Sequence, residues 1–275
     1  MTAAPRSRTM VAVTSTTHTT SPVKLLDNGR FYILAVTCCI ALLVPASLRL
    51  SISSDQLLFI RIEQVYGLLA VAYWYIVLLI APLRSLFTTR HPLRALVYHR
   101  RALGVSAAVF AALHGIVALF GQLGGVGGIS QLPQLFQWSV LAGSISMGFL
   151  ILMAVTSFDR IVTIMTPRYW KMLHRTGYIG GVAVLLHIWT IGTHISYSAV
   201  QIAALTALII LGGLESYRAV TTYAVKKQFR SDRATVYTLI MASTVIWSAM
   251  LLFIPVYIEN YHAARHATSL EASHE

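Results

Sequence analysis

Two histidines stand in the middle of apolar runs, where an ionisable side chain is costly and usually functional. His114 lies in Val109-Phe110-Ala111-Ala112-Leu113-His114-Gly115, and His187 in Val182-Ala183-Val184-Leu185-Leu186-His187-Ile188. His99 and His174 precede them near the starts of the same two runs. The step from His174 to His187 is 13 residues, about 20 Å along a helix. The step from His99 to His114 is 15 residues, about 22 Å by the same rise. Two parallel helices carrying these steps would present two histidine pairs at matched depths, His99 with His174 and His114 with His187. Facing imidazoles on neighbouring helices can supply both axial ligands of a haem iron. Two such centres would make a path for electrons across a membrane. Helical phase runs against a single straight helix for the second pair. Thirteen residues at about 100° each leave His174 and His187 well over a right angle apart. Either two porphyrins leave different faces, or the helix starts beyond His174. The plainer reading of each histidine is a polar side chain hydrogen-bonded between helices. For His99, in Tyr98-His99-Arg100-Arg101, a solvated residue is as good a reading as a ligand.

The elements that must position these residues follow from composition. Of 275 residues, 56% are apolar and only 11% charged, against roughly 25% charged in an ordinary soluble domain. That excludes a disordered chain, a disulfide-stapled secreted domain and an ordinary cytosolic enzyme. Seven apolar runs are close to bilayer length: 31–49, 64–83, 102–121, 137–157, 176–195, 199–216 and 235–257, each near the 20 or so residues a crossing requires. The sixth is the shortest, and without it the count is six. The fold expected is an all-α, polytopic membrane bundle with any haem between the third and fifth helices. Residues 1–30 read as a flexible cytoplasmic tail, 31–257 as the membrane domain and 258–275 as an outer tail. The first run is expected to be a retained span, not a cleaved signal.

Charge sets the orientation. With the N-terminus inside, the inner segments hold 18 of the 21 Lys and Arg, and the outer ones hold Arg49, Arg61 and Arg265. Cations collect in cytoplasmic loops, so the topology predicted is N-in, C-out, in a plasma (inner) membrane. The net charge of +12 therefore reflects topology and lipid contact, with no nucleic acid partner. Cys38 and Cys39 are adjacent in an apolar run and are expected to be small buried residues. The run Gly121-Gln122-Leu123-Gly124-Gly125-Val126-Gly127-Gly128 has no Gly-Lys-Ser/Thr ending, so an outer loop is expected and a phosphate loop is not.

The cations near the histidines have a second use. Arg100, Arg101 and Arg175 sit at the inner ends of the two helices, where arginine could pair bidentately with carboxylates such as haem propionates. Positive-inside charge explains them equally well. Trp170 and Tyr178 flank His174. They could pack on a porphyrin or lie near a quinone, and interfacial aromatic anchoring is the commoner explanation. Glu215 is placed to pair with Arg218 at i+3. His262 and His266 share a helix face in the tail and read as solvated. No Asp or Glu lies in the core of the spans, which speaks against a nucleophilic triad.

The residues Arg100-Arg101-Ala102-Leu103-Gly104 followed by His114 resemble the third-helix pattern of the ferric reductase-like transmembrane superfamily. The run Thr156-Ser157-Phe158-Asp159-Arg160, then Tyr169-Trp170-Lys171-Met172-Leu173-His174-Arg175-Thr176-Gly177-Tyr178 and His187, is similar to its bacterial MsrQ/YedZ-like branch. That branch contains the haem-binding membrane subunit of a periplasmic methionine sulfoxide reductase system. The resemblance spans roughly residues 64–195. It implies b-type haem, one or two, held by His114, His174 and His187. It also implies electron flow from quinol, or from a cytoplasmic flavin reductase, to an outer acceptor such as a periplasmic reductase or a ferric chelate. The chain would then be the oxidoreductase component of a reductase system. His99 is not carried over from that pattern, and a seventh span departs from it. Two other classes remain as alternatives: a transporter with proton-relaying histidines, and a non-catalytic membrane anchor of a partner enzyme.

Overall fold

The computed structural model describes residues 22–87, 91–192 and 197–226. They form eight helices: α1 (Pro22–Ser51), α2 (Asp55–Leu86), α3 (His91–Ile116), α4 (Gln134–Val155), α5 (Asp159–Ile164), α6 (Pro167–Arg175), α7 (Gly177–Ile191) and α8 (Ser198–Lys226). The chain is an all-helical, polytopic membrane protein. Helices α1, α2, α3, α4 and α8 contain stretches long and apolar enough to cross a bilayer. Their outer faces carry large apolar side chains in the open, such as Leu43 (63% exposed) and Ile202 (65%). Water would penalise that surface, whereas lipid does not.

Three differences from the sequence reading stand out. The expected fifth span is α7, whose 15 residues rise only about 22 Å, short of a hydrocarbon core of about 30 Å. The expected seventh span, 235–257, lies outside the described residues, as do His262 and His266. Cys38 and Cys39 are exposed, which corrects the expectation of burial. The reason is packing: α1 turns Thr37, Ile40, Ala41 and Val44 inward, and that leaves positions 38 and 39 on its lipid-facing side. The first helix also starts early, at Pro22.

Helix α3 is the hub, packed on α1, α2 and α4, while α4 packs on α7 and α2 meets α8. Small buried residues on α3, Ala102, Ser106, Ala107 and Ala108, allow that close approach. In lipid, helices associate through packing and interhelical hydrogen bonds, with little hydrophobic drive. Phe110 is fully buried and packs with Ile62, Tyr66 and Ala70 of α2. Trp74 of α2, Ala107 and Ala108 of α3 and Leu150 of α4 form a second cluster. Polar ties cross three of the seams. Tyr66 donates to the Ala41 carbonyl (2.6 Å), Tyr75 to the Ala207 carbonyl (2.8 Å) and Ser146 to the Gly180 carbonyl (3.0 Å).

The Thr37–Ser106 hydroxyl pair, 2.7 Å apart and buried, ties α1 to α3. The two hydroxyls carry two hydrogens between them, so one donates to the other, and the accepting hydroxyl donates to its own helix carbonyl, Ile33 O for Thr37 or Ala102 O for Ser106. Thr37→Val should therefore cost about 1 kcal/mol, the usual range for one such bond. Reversible unfolding in mixed micelles would measure it, and an unchanged midpoint would show that the bond contributes nothing.

After α3 the backbone widens into a π turn over Val117–Gln122. Gly124 and Gly125 then take φ of +66° and +106°, conformations that a side chain would strain. A short 3₁₀ turn, Val126–Gln131, completes the connection to α4.

Candidate functional site

His114 ends α3, one turn beyond the buried Phe110, and His187 sits in the last turns of α7. Their rings meet, with centroids 6.0 Å apart and planes at 79°. Each ring is tied back through Nδ1, His114 to the Glu63 carbonyl (3.0 Å) and His187 to the Ser139 carbonyl (2.9 Å). A carbonyl only accepts, so both Nδ1 atoms carry the proton. The lone pair of each neutral ring is then on Nε2, the nitrogen free to bind a metal. Ser139 closes its side of the clasp, because its hydroxyl donates to the His187 carbonyl (3.2 Å).

This donor set fits a haem iron. A metal–imidazole bond of about 2 Å on each side, with about 1 Å from nitrogen to ring centre, spans about 6 Å between ring centres. That is the observed separation. Among the described residues no group of three or more His, Cys, Asp and Glu forms a metal site.

The other two histidines are arranged differently. The chain breaks at Thr176, between α6 and α7, so His174 and His187 belong to separate helices. The phase argument against one straight helix therefore does not apply. His174 stacks on Trp170 (centroids 3.9 Å, 29°), and its Nδ1 donates to the Trp170 carbonyl (3.1 Å). Trp170 is anchored in turn by its indole N–H on the Thr156 carbonyl (3.2 Å). Burial holds the His174 imidazole below the usual histidine range, against the opposing pull of its bond to the Trp170 carbonyl, and the nearby Arg100 and Arg101 add to the lowering. The neutral ring is favoured.

His99 faces α1, its ring lodged against Gly29, and its buried Nδ1 has no hydrogen-bond partner. Its ring contact is with Tyr98. His99 and His174 make no ring contact with each other. The inner pair anticipated by depth is thus not assembled as the outer one is.

The cations sort themselves by partner. Arg101 pairs with Asp159 (2.8 Å) and lies over the Trp170 ring (5.5 Å). Arg30 also reaches Asp159 (3.8 Å) and the Tyr98 ring (4.5 Å). Tyr178 donates to Glu215 (2.8 Å) and accepts from Arg218 (2.9 Å). Arg218 and Glu215 form the expected i+3 pair at 2.6 Å. Arg100 stands within electrostatic range of that group, yet no carboxylate pairs with it among the described residues. Arg175 is exposed on α6.

Sequence reasoning missed Glu63, Gly67, Ser139 and Gly143. The second apolar run, 64–83, begins one residue after Glu63, but α2 extends back to Asp55, so Glu63 stands two turns inside it. Its carboxylate takes a hydrogen bond from Gln122 at the end of the π turn. A glycine inside a helix costs about 1 kcal/mol against alanine, so Gly67 and Gly143 were signals of close approach.

Residues 66–188 match the family model described as ferric reductase like transmembrane component. The match begins at Tyr66 in α2, ends one residue past His187, and takes in all four histidines discussed above. No curated protein matches this chain.

Proposed function

We propose that this protein is a transmembrane b-type haem electron-transfer component. It carries electrons from quinol, or from a reduced flavin or flavoprotein at the basic end, to an acceptor at the opposite end. That acceptor is a partner reductase or a ferric chelate, and the basic end faces the cytoplasm of a plasma-membrane protein. One observation carries the reading: two histidines from different helices, with ring centres 6.0 Å apart and each Nδ1 within hydrogen-bond distance of a carbonyl. The family match over residues 66–188 supports it.

In this reading His114 and His187 would hold the haem iron. Bound haem supplies reversible one-electron chemistry, with its potential tuned by ligand basicity and burial. The protein's part is to hold two imidazoles in one tautomer, exclude water and balance the charge of the propionates. Arg100 suits a propionate better than Arg101, whose guanidinium is already on Asp159. His174, with a neutral ring and Nδ1 committed, is available for a second centre. His99, turned toward Gly29, is not placed to share it. One haem per chain is therefore expected.

The transporter reading gains an acidic residue in a span, Glu63. Only the backbone carbonyl of Glu63 bonds His114, however, and its carboxylate is on Gln122. No acid–histidine relay is formed there.

The test is the absorption spectrum of detergent-purified protein, oxidised and dithionite-reduced, with haem counted per chain. A Soret band with sharp reduced α and β bands is expected. Colourless protein after expression with ample haem would overturn the reading and favour a transporter or a membrane anchor.

A further inference from the structure

The two ligand clasps are built alike, although nothing in the chain repeats at the level of sequence identity. His114 sits against Gly67 of α2, and His187 against Gly143 of α4. A methyl group at Gly67 would stand 3.0 Å from His114 Nδ1, and one at Gly143 would stand 2.8 Å from His187 Nδ1. Each ring donates to the carbonyl four residues before its glycine, Glu63 for Gly67 and Ser139 for Gly143. The spacing explains the chemistry. Side chains on a helix lean toward its N-terminus and cover the turn before their own Cα. A residue with a Cβ at position 67 or 143 would shield the carbonyl one turn back. Glycine leaves that oxygen open, and its second lone pair can accept the imidazole N–H while the first keeps the helix bond.

We infer that Gly67 and Gly143 are positioning residues: each uncovers the carbonyl that fixes the tautomer and seat of a histidine on the neighbouring helix. Its consequence for haem rests on the function proposed above; its consequence for the histidines does not. His99 shows what the notch alone does. Its ring also rests on a glycine, Gly29, but its Nδ1 reaches no carbonyl, so contact without the hydrogen bond leaves the tautomer unset. Gly104, Gly148 and Gly181 have open space where a Cβ would go and serve as controls on α3, α4 and α7.

The experiment uses the full chain labelled with ¹⁵N-histidine and purified in detergent from haem-deficient cells. His114→Ala and His187→Ala identify the two rings. Wild type and Gly148→Ala should show both rings protonated at Nδ1. Gly143→Ala should release His187 into exchange between tautomers, and Gly67→Ala should do the same to His114. Gly67→Ala is the gentler change, and it keeps the test open should Gly143→Ala fail to fold. In haem-loaded protein each variant should weaken haem retention about 10–100-fold, the usual effect of losing an outer-shell partner of a metal ligand, and should shift the midpoint potential. Rings that keep the Nδ1 proton in both variants would overturn the inference, with or without haem. Tautomers that respond while haem retention and potential stay at wild-type values would also overturn it as a positioning role. Responsive tautomers in a wild type that never takes up haem would sustain the clasp and sink the haem reading instead.

Discussion

If the protein holds haem as proposed, His187→Ala should strip it of its haem bands, and His114→Ala should do the same. Each ring has its Nδ1 on a backbone carbonyl, and the two rings stand 6.0 Å apart. Either substitution would leave one histidine of the pair to hold the group. A one-sided centre loses the six-coordinate spectrum first and then, through weaker retention, the cofactor itself. A fall in haem per chain of at least tenfold is expected for each, read by pyridine haemochrome on monodisperse protein. His174→Ala should keep these bands, because His174 belongs to a separate helix, stacked on Trp170. Wild-type haem content in both His114→Ala and His187→Ala would end the assignment. Loss in His174→Ala alone would move the ligand set to the inner end.

Phe110→Ala should be the most damaging packing change among the described residues. The ring is wholly buried between Tyr66 (centroids 6.0 Å) and Tyr73 (5.6 Å). It fills the seam where α2 and α3 make their most extensive contact. In water such a truncation costs about 3–5 kcal/mol, from transfer and cavity contributions together. In a bilayer the transfer part shrinks, because the lipid is as apolar as the core. The lost dispersion contacts remain, so about 3 kcal/mol is expected. Equilibrium unfolding in mixed micelles measures it, and a loss under about 1 kcal/mol would show that the seam closes over the gap. Phe110 lies one turn below His114 on the same face. The surviving folded protein should therefore show a broadened haem spectrum as the ligand ring gains freedom.

Much of the architecture was legible in one dimension. Apolar length marks crossings because transfer into lipid is a sum over residues, and that located α1 to α4 and α8. The positions of Lys and Arg marked the ends in the same additive way. The i+3 pairing of Glu215 with Arg218 is local and was equally readable.

What the sequence left open depends on rotation about each helix axis and on which neighbour a face meets. Cys38 and Cys39 look like core residues by hydropathy, yet α1 buries Thr37 and turns both cysteines outward. The break at Thr176 separates His174 from the helix of His187, which helical phase offers as one of two alternatives and only the structure selects. Arg100 and Arg101 are equivalent as letters, but Asp159, from beyond α4, takes Arg101 and Arg30 and not Arg100. Glu63 falls just outside the second apolar run, and its carbonyl is the anchor of a histidine 51 residues away. The sequence by itself determined that helices long and apolar enough to cross a membrane form the chain's frame and which loops are basic, because those properties add along the chain. Only the tertiary structure decided which nitrogen of each histidine is committed and which glycine makes room for it, because those are set by atoms on another helix within hydrogen-bond reach.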